Sequence, residues 1–165
     1  MKIFGIVGWK NSGKTGLMER LVADITARGT SVSTIKHAHH NFDLDVAGKD
    51  SFRHREAGAR EVVLASRHRW ALMRENQAKE PLLSELLRRM DSVDLVLIEG
   101  YKSDLHDKIE THRTETGQSL ISARDQSVVA VASNVTHPGL GVPQFPLDDT
   151  RAIANFLLLR LGLSP

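Results

Sequence analysis

The stretch GWKNSGKT at residues 8–15 decides the fold, because it has the spacing G-x-x-x-x-G-K-[ST] of a phosphate-binding loop, or P-loop. It follows the short apolar run KIFGIV at residues 2–7, which is typical of a buried strand. After it, Leu17, Leu21 and Ile25 recur every four residues and predict a helix with one apolar face. A strand, a glycine-rich turn and a helix form the context that this motif requires, so the sequence predicts a P-loop here.

Each residue type in this stretch suits the binding of a polyphosphate. Gly8 and Gly13 adopt backbone angles closed to other residues, which allows successive N–H groups to point inward. Lys14 is expected to reach the β- and γ-phosphates, and Thr15 is expected to offer its hydroxyl to Mg²⁺. The predicted nucleotide-binding residues are Gly8, Lys10, Asn11, Ser12, Gly13, Lys14 and Thr15.

A carboxylate for the metal is expected on a neighbouring strand. The run DLVLIE at residues 94–99 is apolar on both faces, which predicts a central strand with layers above and below it. Ligands bind at the carboxyl ends of the strands in such sheets, so Glu99 is predicted to contact Mg²⁺ through a metal-bound water. Asp94 lies at the other end of the strand, roughly 16 Å away, and is expected to cap or solubilise the turn.

A polar segment, HAHHNFDLDVAGKD at residues 37–50, follows the second predicted strand at 31–36 and is expected at the same edge of the sheet. Three interpretations remain open: contacts to substrate or phosphate, a solvent-exposed loop, and a transition-metal site made by His37, His39 and His40. The candidate substrate or switch residues are Lys36, His37, His39, Asp43, Asp45, Asp50, Arg53 and Lys102.

The rest of the chain predicts alternating strands and helices. The expected elements are a short helix capped by Asp50 or Ser51 and ended by Gly58, an antiparallel hairpin at 61–66 and 70–74, a helix over 81–90, a short edge strand over 108–113, a buried strand over 128–133, and a last helix capped by Asp148 or Asp149. Together they predict a three-layer α/β fold of the P-loop NTPase type, with a mostly parallel sheet and an added hairpin, in a single nucleotide-binding domain over residues 1–165.

Composition narrows the classes of function. The chain has 165 residues, of which 41% are hydrophobic, no cysteine, and a net charge of +2. The absence of cysteine excludes disulfides and thiolate ligands and is compatible with the cytoplasm. The small net charge gives no reason to expect nucleic acid. No apolar run approaches the roughly 20 residues that span a bilayer, so no membrane association is expected.

The motifs together resemble those of the MobB family of molybdopterin-guanine dinucleotide biosynthesis. The resemblance is carried by GWKNSGKT, by IKHAHHNFDLDVAGKDSFRHREAGA, and by DLVLIEGYK followed by KIETHR, and it spans about residues 1–113. It implies a homodimeric adaptor protein that binds GTP and Mg²⁺, hydrolyses GTP weakly at most, and assists the guanylyltransferase MobA, which attaches GMP to molybdopterin.

The sequence lacks a common motif for recognition of the guanine base. The guanine-reading signature Asn-Lys-x-Asp is absent, and only Ser133 and Asn134 lie near its expected place, so a guanine preference rests on the resemblance alone. Two other functions fit the same P-loop: a GTPase metallochaperone that uses the histidine-rich segment, and a small-molecule kinase. Strong nickel or zinc binding would favour the former, and phosphate transfer from GTP to a pterin or nucleoside the latter.

Overall fold

The computed structural model describes residues 1–38, 44–76 and 79–164. The strands are β1 (Lys2–Gly8), β2 (Val32–Lys36), β3 (Glu61–Ala65), β4 (Trp70–Arg74), β5 (Leu95–Glu99), β6 (Lys108–His112), β7 (Val128–Ser133) and β8 (Gln144–Pro146). The α-helices are α1 (Lys14–Ala27), α2 (Asp50–Glu56), α3 (Leu83–Leu87) and α4 (Thr150–Leu161). None of the helices in this part of the chain is long and apolar enough to cross a bilayer.

The described chain divides into two compact units, one made of residues 1–37 with 91 onward and the other of residues 38–90. The first unit contains a six-stranded sheet in the order β2-β5-β1-β6-β7-β8, in which every neighbouring pair is parallel. The second unit contains the antiparallel β3–β4 hairpin. The predicted combination of a parallel sheet and an added hairpin is therefore confirmed.

One face of the sheet packs against α1 and α4. The side chains of Leu17, Leu21 and Ile25 on α1 are fully buried against strand residues that include Phe4 and Leu97. Burial of each large apolar side chain contributes about 1.5–3 kcal/mol, so each of these side chains stabilises the first unit by roughly that amount. The predicted cap of α4 is Asp149, whose Oδ1 accepts a hydrogen bond from the Ala152 amide at 3.1 Å.

Strand β6 corrects a prediction, because it lies inside the sheet between β1 and β7 rather than at an edge. All five of its residues are buried, including Lys108, Glu110 and His112. The connection that follows β6 supplies the partners of Glu110: the amides of Ile121 and Ser122 donate to its two carboxylate oxygens at 2.8 and 2.9 Å. The alternating polar residues of β6 therefore form a polar face of the sheet that is covered by other parts of the chain. Its charged groups are stable there because they are paired.

Lys108 is fully buried on this face, as Glu110 is. Its Nζ donates to the Asp104 carbonyl oxygen and to Ser127 Oγ, and it lies 3.4 Å from Asp125 Oδ2. Close by, a Cβ added to Gly5 would lie 2.7 Å from His106 Nε2 and 2.7 Å from Lys108 Cγ. Strand β1 therefore needs a glycine at position 5 to leave room for these side chains.

The imidazole of His106 makes stability depend on pH. Its pKa lies below the ordinary value because burial disfavours the charged ring and Lys108 repels it, against the attraction of Asp104, Asp107 and Asp125. In the unfolded chain the imidazole binds a proton near pH 6.5, whereas in the folded chain it does so only at lower pH. Its contribution to the free energy of unfolding is therefore fully present above about pH 6.5 and is lost as pH falls. We expect His106→Gln to reduce the decline in the free energy of unfolding below that pH, measured by urea denaturation. Equal declines in the two proteins would contradict this role.

Three other elements differ from the sequence predictions. Helix α3 is shorter than residues 81–90, because Leu82 is extended and its amide donates to Glu85 Oε2 at 2.9 Å as the helix begins. Helix α2 is preceded by Lys49 as its N-cap, so neither Asp50 nor Ser51 caps it. Strand β8 was not predicted, since it has three residues and includes a proline.

Candidate functional site

The glycine-rich loop, residues 8–15, connects β1 to α1 at the carboxyl edge of the sheet. Asn11 and Gly13 have positive φ values of 65° and 99°, and Gly13 is the N-cap of α1. A Cβ on Gly8 would lie 2.4 Å from Ser12 Oγ and 2.5 Å from the Thr111 carbonyl oxygen, so no larger residue fits there. The loop has the closely packed, left-handed backbone that an anion-binding cradle requires.

Ser12 holds this loop to strand β6. Its side chain is buried, and its Oγ lies 2.7 Å from Thr111 Oγ1. Thr111 Oγ1 in turn donates to the Val7 carbonyl oxygen at 3.2 Å, so the Ser12 hydroxyl is the donor to Thr111. The Ser12 side chain therefore fixes the loop, and its amide closes a turn by donating to Trp9 O at 3.2 Å.

Lys14 is the first residue of α1, and its Nζ donates to the Trp9 carbonyl oxygen at 2.8 Å. The pKa of Lys14 lies below the ordinary value because burial disfavours the ammonium form; Lys36 and Lys102 add to this effect, and Glu99 opposes it. The site thus places three cations around one carboxylate. A bound polyanion would relieve their mutual repulsion, which makes the site electrostatically suited to phosphate.

Glu99 ends strand β5 and lies beside Ile6 of β1 in the register of the sheet. Its side chain is 11% exposed, and its Oε1 lies 3.5 Å from Lys36 Nζ. Asp94 lies at the opposite end of β5, where its Oδ2 accepts from Ser31 N at 2.9 Å and Ser31 Oγ at 2.6 Å. The structure therefore assigns Asp94 to the amino-end turn and leaves Glu99 as the carboxylate near the glycine-rich loop.

Aromatic side chains border the cations. The rings of His37 and Tyr101 stack with their centroids 4.5 Å apart. Gly100 permits this arrangement, since a Cβ there would lie 2.7 Å from His37 Cβ. Lys102 Nζ lies 4.4 Å from the ring centroid of Trp9, whose Nε1 donates to Ser119 O at 2.9 Å. The structure thus brings Lys36, His37 and Lys102 to the carboxyl edge, as the sequence predicts.

Other predicted residues belong to the second unit or fall outside the described residues. Asp45, Asp50 and Arg53 belong to the second unit, where Asp45 Oδ1 pairs with Arg55 Nη2 at 3.1 Å and the Asp45 side chain is 1% exposed. Arg55 also pairs with Glu75, whose Oε1 lies 3.2 Å from Arg55 Nη1. Asp43 and the imidazoles of His39 and His40 fall outside the described residues. Roles in binding substrate stay predictions for all of these residues.

Two contacts of the loop had no signal in the sequence. Thr111 packs against Gly8, and Arg113 Nε lies 3.4 Å from the position that a Cβ of Gly13 would take. Nothing in the spacing of KIETHR distinguishes residues that support a loop about 100 positions earlier from residues of an ordinary strand.

Lys10 and Thr15 are exposed, and their predicted roles concern a bound ligand rather than contacts within the chain.

Comparisons with known proteins agree on one family. A family model described as MobB, molybdopterin guanine dinucleotide synthesis protein B, matches residues 3–134. The molybdopterin-guanine dinucleotide biosynthesis adapter protein of Haemophilus influenzae is 45% identical over 159 residues, which cover 94% of this chain and 86% of that protein. Its counterpart in Escherichia coli is 38% identical over 162 residues, which cover 94% and 91%. The crystal structure of Bacillus subtilis MobB superposes with a TM-score of 0.78 at 25% identity and covers 98% of both chains.

Proposed function

Because the chain belongs to the MobB family of molybdopterin guanine dinucleotide synthesis proteins, we propose that it binds GTP with Mg²⁺ and assists the guanylyltransferase MobA in that pathway. In this proposal the adapter supplies or holds nucleotide or molybdopterin while the transferase forms the dinucleotide. Guanylyl transfer to molybdopterin would take place in the cytoplasm.

The packing of the glycine-rich loop is the observation that carries the proposal. Gly8 leaves no space for a side chain, Gly13 has a φ of 99° that favours glycine, Lys14 lies at the start of α1, and the positive end of that helix faces the loop. These features fit a nucleoside polyphosphate better than a single phosphate, because Lys36 and Lys102 extend the cationic surface beyond the loop. The phosphates would lie over the loop amides, with Lys14 beside the terminal groups.

The proposed Mg²⁺ would take oxygen donors from two residues. Thr15 offers a hydroxyl, and Glu99 offers a largely buried carboxylate that interacts with Lys14 and Lys36. Hard oxygen ligands of this kind fit Mg²⁺, which would neutralise charge on the phosphates. The segment GYKSD after Glu99 has no glutamine to position an attacking water, so the protein is proposed to be a weak GTPase at most.

The hairpin of the second unit supports a homodimer. Val63, Trp70 and Leu72 are 61%, 68% and 41% exposed, and Val63 pairs with Leu72 across the two strands. A two-stranded hairpin is marginally stable alone, and large exposed apolar side chains mark interaction surfaces. We therefore expect two copies of the chain to associate through this hairpin, and Trp70→Glu to shift sedimentation velocity toward a monomer.

Calorimetric titration with GTP and with ATP, each with and without Mg²⁺, tests the proposed function. We expect GTP to bind, to bind more tightly with Mg²⁺, and to bind more tightly than ATP. Absence of nucleotide binding under all four conditions would overturn the proposal. The same samples mixed with MobA and molybdopterin would then show whether this chain accelerates formation of the dinucleotide.

Replacement of Glu99 by glutamine separates metal binding from nucleotide binding. We expect the gain in GTP affinity caused by Mg²⁺ to fall by about 10- to 100-fold, because the carboxylate orients a metal-bound water, while affinity without Mg²⁺ changes little. Glu19→Gln, at an exposed position on α1, removes the same charge elsewhere and serves as the control. Identical Mg²⁺ titrations for the Glu99→Gln and Glu19→Gln proteins would exclude Glu99 from the metal site.

A further inference from the structure

Arg113 follows strand β6 directly and lies beside the glycine-rich loop. Strand β6 pairs with β1 as far as Gly8, the first residue of the loop, so the chain after β6 emerges at the same edge of the sheet. Arg113 Nε lies 3.4 Å from the position that a Cβ of Gly13 would take. The guanidinium group therefore packs against the N-cap residue of α1, where the amides of the helix terminus carry partial positive charge.

The backbone around Arg113 is held by hydrogen bonds. The amide and the hydroxyl of Thr116 donate to the Arg113 carbonyl oxygen at 3.1 and 2.8 Å. The next amide, that of Thr114, donates to Asn134 Oδ1 at 3.2 Å. Arg113 is thus presented to the loop from a fixed turn.

The Arg113 side chain is half-buried but has no counterion within the chain. Four arginines in the described residues are half-buried, and three of them pair with a carboxylate at 2.5 to 3.7 Å: Arg20 with Asp148, Arg28 with Asp24, and Arg55 with Asp45. Arg113 is the fourth, and its guanidinium group forms no ion pair with any residue that the structure describes.

Glu115, two positions further along, does not fill this role. Both of its carboxylate oxygens accept from Asn134 Nδ2, at 3.1 and 2.9 Å, and it forms no ion pair with Arg113 within the described chain. A cation that is partly removed from water and unpaired is unfavourable, and an anionic ligand would relieve that cost. Arg113 therefore has the properties of a residue that binds an anion beside the glycine-rich loop.

The order of the strands gives a bound polyphosphate a direction. Lys36 and Glu99 end β2 and β5, which lie on one side of β1, whereas Arg113 follows β6 on the other side. In the proposed function the terminal phosphates and Mg²⁺ lie beside Lys14 and Glu99. The end of the phosphate chain that carries the ribose then points toward β6, where Arg113 lies.

We propose that Arg113 binds the phosphate next to the ribose, which is the α-phosphate of the nucleotide. This inference rests on the proposed function, since it assigns a contact to the GTP that the glycine-rich loop is proposed to bind. The planar guanidinium group presents a fork of N–H donors that matches two oxygens of one phosphate. Arg113 and Lys14 then hold opposite ends of the phosphate chain, and GDP and GTP gain equally from Arg113 because both carry an α-phosphate.

Replacement of Arg113 by methionine tests whether the arginine binds nucleotide. We expect the affinities for GTP and GDP with Mg²⁺ to fall by about 10- to 100-fold each, because hydrogen bonds to charged groups are lost. Arg113→Lys should recover only part of the loss, since it keeps the charge without the fork. Arg124→Met is the control, because Arg124 is an exposed arginine of the same connection. The free energy of unfolding of the Arg113→Met protein, measured without ligand, should be unchanged or slightly higher.

Nucleotides with sulfur in place of one phosphate oxygen locate the contact. The two diastereomers of GTPαS alter the α-phosphate, and GTPγS alters the terminal phosphate. We expect one diastereomer of GTPαS to bind the unmodified protein more weakly than GTP does, and this difference to disappear in the Arg113→Met protein. The ratio of GTPγS to GTP affinity should be the same in both proteins, since distant changes are independent.

Calorimetric titration of the full chain gives a distinct result for each case. If the unmodified protein binds GTP and Arg113→Met binds it as tightly as Arg124→Met does, the inference is overturned while the proposed function stands. A change in the GTPγS ratio instead of the GTPαS ratio would also overturn it, because Arg113 would then contact the terminal phosphate. A large loss of stability in the Arg113→Met protein would show a structural role and overturn it as well. If the unmodified protein binds no nucleotide, the proposed function fails and the inference with it.

Discussion

Replacement of Lys14 by alanine is expected to lower the affinity for GTP with Mg²⁺ by more than about 100-fold, because a partly buried ammonium group contributes at least about 3 kcal/mol through charge-assisted hydrogen bonds to phosphate. The same change should leave the free energy of unfolding unchanged or slightly higher. In the free protein Lys14 donates to the Trp9 carbonyl oxygen, while burial and two neighbouring lysines disfavour its charge. Calorimetry and urea denaturation measure the two effects.

This opposite response of affinity and stability distinguishes a binding residue from a structural one. Lys2→Ala removes an equal charge from an exposed position at the amino end of β1 and should change neither quantity by much. An unaltered affinity of the Lys14→Ala protein would remove Lys14 from the site. A large loss of stability would show instead that the ammonium group supports the fold.

Replacement of Gly8 by alanine is expected to reduce the free energy of unfolding by about 2–4 kcal/mol and to abolish measurable nucleotide binding. The added methyl group would lie 2.5 Å from the carbonyl oxygen and 2.5 Å from the hydroxyl of Thr111. Thr111 cannot retreat easily, because it belongs to an interior strand that pairs with β1 at Gly8 itself. Relief of the overlap must therefore move the glycine-rich loop or separate two strands.

Gly16→Ala is the matched control for this experiment. Gly16 lies in the first turns of α1, where the nearest atom to an added Cβ is the end of the flexible Arg20 side chain at 3.5 Å. Alanine there should raise the free energy of unfolding by about 0.5–1 kcal/mol, since glycine disfavours a helix. If both substitutions had small effects, the close packing around Gly8 would not constrain the loop. Urea denaturation and calorimetry again provide the measurements.

Much of the fold was predictable because its central elements carry continuous apolar runs. Strands β1 and β5 are buried on both faces, and α1 repeats its apolar residues every four positions, so their types follow from local sequence. Strand β6 was misplaced at an edge because it contains Lys108, Glu110 and His112. Its interior position depends on partners supplied by the connection that follows it, and such partners have no local pattern in the sequence.

The candidate site likewise contains some residues that could be predicted from the sequence and others that could not. The glycine-rich loop has a defined spacing, and Glu99 follows from its place at the end of a strand, so both were accessible from the sequence. Thr111 and Arg113 were not, since each contacts a residue that is distant along the chain. Asn134 was noted for its position, and its side chain donates a hydrogen bond to Glu115.

Trp9 is an intrinsic fluorophore within the glycine-rich loop. The chain has two tryptophans, and the other, Trp70, belongs to the hairpin of the second unit. The indole of Trp9 lies beneath the Lys102 ammonium group and donates to Ser119, so displacement of either neighbour alters its emission. In a Trp70→Phe background, we therefore expect the fluorescence of unlabelled protein to change when a ligand binds at the loop, which stopped-flow mixing would record.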